Sequence, residues 1–215
     1  IQALQGFTVT AGGIALRTSS GLTVSGAVAT SGSNVSLSSG GAVAGRSDGT
    51  SMLLTGDISG STVTLNSLTG AAPAYYDGGI TQAGGTVTAG TLTGAGGFLN
   101  LARSNQIATL GDFATYRALT VSSSRALAVT GAVSSANGAV TLTTRGLTQT
   151  ASSSISTAEL DGSSTGDTVL NSRTNAVAGM GTFSQQAGDF TLVTSSFIPV
   201  GEFRPVTDLS TAPHL

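Results

Sequence analysis

The sequence predicts an all-β protein, a parallel β-helix or β-solenoid of about nine coils. Three observations predict it. Units of about twenty residues repeat along the chain. Within them apolar residues alternate with period two, as in Val140-Thr141-Leu142, and no helical stripe is sustained for three turns. Glycine-bearing pairs (Gly12-Gly13, Asp48-Gly49, Asn137-Gly138, Asp161-Gly162) fall between the alternating pieces, where a coil must turn a corner. A unit this short cannot bury its own apolar face, so it must stack on its neighbours.

The pattern is clearest from Ile107 to Gly146, where IATLGDFATYRALTVSSSRA is followed by LAVTGAVSSANGAVTLTTRG. The opening IQALQGFTVTAGGIALRTSSG restates the first of these, aligning Ile1, Leu4 and Phe7 with Ile107, Leu110 and Phe113. From Leu22, LTVSGAVATSGSNVSLSSGG matches the second, with Val35 and Leu37 falling where Val140 and Leu142 fall. A polar excursion after Gly41 reads as a loop, MLLTGDISGSTVTLNS returns to the theme, and GAAPAYYDGG at 70–79 is expected outside the regular coil. The segment 80–106 then corresponds to 147–176, and each is followed by a related heptapeptide, IATLGDF or VAGMGTF, giving a larger repeat of roughly seventy residues. The expected organisation is a repeat region over 1–196, with larger repeats at about 1–79, 80–146 and 147–196. The segment 197–215 carries Pro199, Pro205 and Pro213 and reads as a terminal coil, cap or exit.

Stacked coils put equivalent apolar residues into common inward columns, with Val133 near Phe113 and Leu142 near Val121. The expected core is Phe7, Leu16, Leu22, Val35, Leu37, Ile58, Leu65, Leu92, Leu99, Ile107, Phe113, Leu127, Val133, Val140, Leu142, Leu160, Phe183, Phe190 and Leu192. Outward positions are mostly Thr and Ser, which suit a pleated surface. Two open ends of such a rod would each present unpaired strand edges that template association. The chain begins at Ile1 without a methionine, and a processed protein or a piece of a longer one is expected.

Composition excludes several function classes. Charged residues make up 8% of the chain, against roughly 25% in an ordinary globular domain. All eight cations are arginine and the formal net charge is -2, so there is no basic stripe for nucleic acid and no polybasic run for an anionic membrane. Without cysteine there is no disulfide or thiolate metal site, and no run of about twenty apolar residues predicts a membrane-spanning helix.

The run ITQAGGTVTAGTLTG, then NQIATLGDF and LAVTGAV…VTLTTRG, resembles the repeat region of filamentous haemagglutinin-like exoproteins, the secreted partners of two-partner secretion systems. The likeness covers most of 1–196 and is strongest over 80–146. It implies a right-handed parallel β-helix exported to the bacterial cell surface as a stalk or adhesin. The expected partners are a host or neighbouring cell surface, through glycan or matrix, and end-to-end self-association. The family's secretion domain and carboxy-terminal toxin have no counterpart in these residues.

Parallel β-helices also include polysaccharide lyases and hydrolases, whose chemistry needs clustered carboxylates, as metal ligands or as an acid and base pair. Asp57, Asp112 and Asp189 fall near coil corners, but neighbouring coils lack a matching acid, so solvated corners are expected and neither a metal nor a cofactor is. His214, the single histidine, lies next to the last residue, too far out for a catalytic triad. Tyr75 and Tyr76 are candidates for stacking on sugar rings, and Arg103 and Arg173, at equivalent places before Asn105 and Asn175, for an anion or glycan site. The plainer readings are loop packing and solvent-facing charge, with the asparagines bonding corner backbone. Asn34-Val35-Ser36 matches the glycosylation acceptor pattern. The function expected is a non-catalytic structural or adhesive rod. The alternatives are a self-assembling extracellular filament and a carbohydrate-active β-helix enzyme.

Overall fold

A computed structural model of the chain describes residues 2–40, 51–67 and 78–196. They form strands, turns and bends without a helix. The first turn is β1 (Gln2–Leu4), β2 (Phe7–Val9) and β3 (Ile14–Arg17), and the second is β4 (Leu22–Val24), β5 (Val28–Thr30) and β6 (Val35–Ser39). In the middle of the rod the strands run on: β7 (Met52–Leu54) and β8 (Ile58–Ser67), β9 (Gly79–Gln82) and β10 (Val87–Gly96), then β11 (Phe98–Thr115). Separate strands return with β12 (Leu119–Ser123), β13 (Leu127–Val129) and β14 (Ala132–Ser135), followed by β15 (Ala139–Thr144), β16 (Leu147–Gln149) and β17 (Ser154–Thr157). β18 (Glu159–Ser164), β19 (Thr168–Leu170) and β20 (Ala176–Val177) complete the next turn, and β21 (Met180–Gln185) and β22 (Phe190–Leu192) open another. Every strand pairing among the described residues is parallel and joins one turn to the next. The chain is therefore a β-solenoid of about 8 turns. At a strand spacing of roughly 4.8 Å its core is about 40 Å long.

Register puts like residues above like. One inward column runs Leu22, Met52, Ile80, Leu99, Leu119, Val140, Leu160 and Met180 on successive turns. A second runs Ile14, Val35, Val63, Leu92, Leu110 and Val129. All of these except Met180 are buried, and each fully buried aliphatic side chain contributes about 1.5–3 kcal/mol relative to exposure. Alternating strands such as VSLSS and LTVSS turn one face to these columns and leave the other half-exposed, which is why short hydroxyl-rich sequences suffice.

Of the expected core, Leu22, Val35, Leu37, Ile58, Leu65, Leu92, Leu99, Ile107, Phe113, Leu127, Val133, Val140, Leu142 and Leu160 are buried. Val133 lies over Phe113 and Leu142 over Val121. Leu16, Phe183 and Leu192 are half-buried against the core, and Phe190 is half-buried. Phe7 departs from expectation: it is 55% exposed, because Val28 covers it from above and no described strand lies beneath.

The sequence repeats do not keep a fixed position around the turn. Val140 lies in the column of Leu22, whereas Val35, its counterpart in sequence, lies in the column of Val129. The glycine pairs also divide by role. Gly12 has φ +90° at a corner, whereas Gly162 lies inside β18 and Gly138 has no positive φ. Gly138 is glycine because a side chain there would run into the Ala118 backbone, and Gly131 because one would meet the backbone of Gly111 and Asp112. Asp48-Gly49 lies outside the described residues.

Candidate functional site

Of the acids singled out as metal candidates, Asp57 and Asp112 join one turn to the next through their carboxylates, whereas Asp189 is exposed and takes part through its backbone. Asp57 Oδ1 accepts from Thr86 N at 2.8 Å, and Asp112 Oδ1 accepts from Ala132 N at 2.8 Å. Two acids outside those candidates repeat the arrangement, Asp161 of the Asp161-Gly162 pair with Thr182 N at 2.8 Å and Asp167 with Asp189 N at 3.0 Å. In each pair the acceptor belongs to one turn and the donor to the next, so the corner carboxylate replaces a ladder bond that the bending backbone cannot make. Their common signal is an acid at a corner, about twenty to thirty residues before the amide it meets. Among the described residues no group of three or more His, Cys, Asp or Glu is placed to hold a metal ion. The carboxylates of Glu159 and Asp161 both lie beside Gly181, and that of Asp161 is engaged by Thr182 N.

Inside the rod two amide pairs stand out. Gln82 and Asn105 bond each other reciprocally, Nε2 to Oδ1 at 2.8 Å and Nδ2 to Oε1 at 3.0 Å, and Asn105 Oδ1 also accepts from Val87 N at 2.8 Å. Asn105 Nδ2 donates further to the carbonyls of Leu101 and Arg103. Gln149 and Asn175 repeat this with Nε2 to Oδ1 at 2.7 Å and Nδ2 to Oε1 at 2.8 Å, while Ile155 N donates to Asn175 Oδ1 and Asn175 Nδ2 to the carbonyls of Leu170 and Val193. The asparagines do bond corner backbone, as the sequence suggested. Their glutamine partners were missed, although ITQ at 80–82 and LTQ at 147–149 precede the two asparagines at similar distances.

Arg103 is exposed and its guanidinium donates to the Ala83 carbonyl at 2.5 Å, capping the turn below. Arg173, at the matching place in the second repeat, is exposed. The structure does not bring the two arginines to one corner: Arg103 lies within β11, just after the residues paired with β12, whereas Arg173 lies three turns further on, in the turn between β19 and β20. Asn34 is exposed, and its Oδ1 accepts from Ser61 Oγ at 3.1 Å. Tyr75, Tyr76 and His214 lie outside the described residues. The outer faces present hydroxyls in register, among them Thr64 and Thr93, whose Oγ1 atoms are 3.0 Å apart. Among the described residues no helix is long and apolar enough to cross a membrane.

These polar groups link one turn to another. No family model, no curated protein and no solved structure matches the chain.

Proposed function

We propose that the chain is a non-catalytic structural and adhesive rod segment of a secreted bacterial surface protein of the filamentous haemagglutinin-like kind. One observation carries this reading. The parallel ladder runs unbroken from β1 to β22, and the acids and amides that an enzyme would hold ready for substrate are used as couplers between turns. A stalk needs stiffness along its axis and a surface that stays hydrated at low charge, and stacked hydroxyl faces supply both. The resemblance of residues 80–146 to two-partner exoprotein repeats supports export and contact with a neighbouring or host surface through glycan or matrix.

The test is retention of the purified chain on surfaces coated with glycans or extracellular-matrix proteins, read beside a turnover assay on acidic polysaccharides with and without calcium. Saturable retention without turnover is expected. Release of unsaturated uronate products would replace the adhesive reading with an enzymatic one, and absence of retention on every coating would remove the adhesive part.

A further inference from the structure

One corner of the rod changes character from turn to turn. The segments that lead from β12, β15, β18 and β21 to the next strand are Ser124-Arg125-Ala126, Arg145-Gly146, Thr165-Gly166-Asp167 and Gln186-Ala187-Gly188-Asp189. The residues that follow them, Leu127, Leu147, Thr168 and Phe190, stand one above another. Counting back from that column stacks Ala126, Gly146, Asp167 and Asp189, and beside them Arg125, Arg145, Gly166 and Gly188. The backbone agrees: Arg145 N donates to the Arg125 carbonyl at 3.2 Å, Leu147 N to that of Asp167 at 2.9 Å and Thr168 N to that of Asp189 at 2.8 Å.

The lower two turns of this corner therefore carry a long cationic side chain beside a small residue, and the upper two carry a glycine beside an aspartate. The turns themselves demand those glycines. A side chain on Gly166 would run into the Arg145 carbonyl, and Gly188 has φ +77° with Asp167 Oδ1 where its side chain would lie. Arg125, Arg145, Asp167 and Asp189 are all exposed, and among the described residues neither arginine is paired with a carboxylate. Asp167 turns its carboxylate upward, to Asp189 N, and away from the arginines.

We propose that this corner is a side-by-side, antiparallel contact between two copies of the chain. A two-fold axis crossing the rod between the turns of Arg145 and Gly166 exchanges the lower pair of turns with the upper pair. It lays Arg145 over Gly166 of the second copy, next to that copy's Asp167, and Arg125 over its Gly188, next to its Asp189. Each long side chain thus meets a position without one, and each cation meets an anion, so the surface is complementary to itself in shape and in charge. Because the same patch serves on both copies, the contact closes as a dimer and does not run on as a filament. Four turns at the strand spacing span only about 15 Å, and the charges stay close to water, so the association is weak and sensitive to salt. It goes beyond the rod reading above and uses the side of the rod, where end-to-end stacking uses its ends.

The test is sedimentation of the full chain at low and at high salt, with protein up to about 1 mM so that millimolar dissociation constants are read. A dimer that dissociates as salt is raised is expected. Arg125→Asp and Asp189→Arg should each weaken it at least tenfold, with melting midpoints unchanged, because each sets like charges face to face. An equimolar mixture of these two variants should dimerise as the unsubstituted chain does, since every contact between the unlike copies again joins opposite charges. A monomer at low salt, association untouched by Arg125→Asp, or a mixture no more associated than its components would overturn the proposal. Assemblies larger than a dimer that ignore both substitutions would overturn it in favour of end-to-end stacking.

Discussion

The segments 80–113 and 147–183 are two versions of one device placed at different depths in the rod. Each carries a Gln–Asn pair, a glycine inside a strand and a phenylalanine above that glycine. In the first, Gln82 and Phe113 are buried, whereas in the second Gln149 and Phe183 are half-buried, Phe183 because no described strand lies above β21. Both asparagines are fully buried. The two versions also differ in position around the turn: Gln82 ends a strand stacked on β7, while Gln149 stands over Val129 in another column. Local sequence therefore specifies the device, and its place along the rod sets how much it stabilises.

The largest effect that would sharpen this comparison is at the phenylalanines. Phe113→Ala should lower stability by about 3–5 kcal/mol, since Val133 above and Gly94 below cannot both move into the space, while Phe183→Ala should cost about half as much or less. Chemical denaturation reads the first. Because repeat arrays lose cooperativity, hydrogen exchange of the neighbouring strand should be read for both. Equal losses would mean that depth does not set the energy.

The amide pairs come next. Asn105→Ala leaves Gln82 Oε1 and Val87 N without partners in the interior, Gln82 Nε2 keeping only the Gly85 carbonyl, and should cost about 2–4 kcal/mol. Asn175→Ala should cost less, because half-buried Gln149 can turn toward water. In a double-mutant cycle, Gln82→Ala with Asn105→Ala should show stronger coupling than Gln149→Ala with Asn175→Ala. Indistinguishable coupling energies would break the comparison.

The solenoid was legible in the sequence because stacking demands that apolar residues recur, and Leu22, Leu119 and Val140 recur whichever way the corners fall. What was not legible was angular position. Val35 and Val140 have matching neighbours in sequence and stand in different columns, since a corner can be placed between any two columns once a glycine lets an extra residue in. Phe7 was read as core by analogy with Phe113, and the analogy held for its neighbours above while its burial depended on a turn beneath. The candidate site was read in reverse. Asp57 and Asp112 were weighed for metal and then for solvent, yet each meets a backbone N–H, a partner that a sequence does not display because every residue but proline carries one.

The smallest effect separates two buried threonines. Thr157 Oγ1 accepts from Glu159 N at 3.3 Å and donates to the Glu159 carbonyl at 2.8 Å, whereas Thr144 Oγ1 has no hydrogen-bond partner. The cause lies in turn length. Ser164 is followed by a turn that brings the Gly166 carbonyl back to its hydroxyl at 2.6 Å. After Thr144 the chain reaches Leu147 one residue sooner than Ser164 reaches Thr168, and the Gly146 carbonyl is already engaged by Leu127 N at 2.8 Å. Valine keeps the shape of threonine and removes the hydroxyl. Thr157→Val should therefore cost about 1 kcal/mol, while Thr144→Val should leave stability unchanged or raise it by up to about 1 kcal/mol. Melting or denaturant midpoints of the two single variants decide it, and a loss at Thr144 as large as that at Thr157 would show that its hydroxyl has a partner in solution.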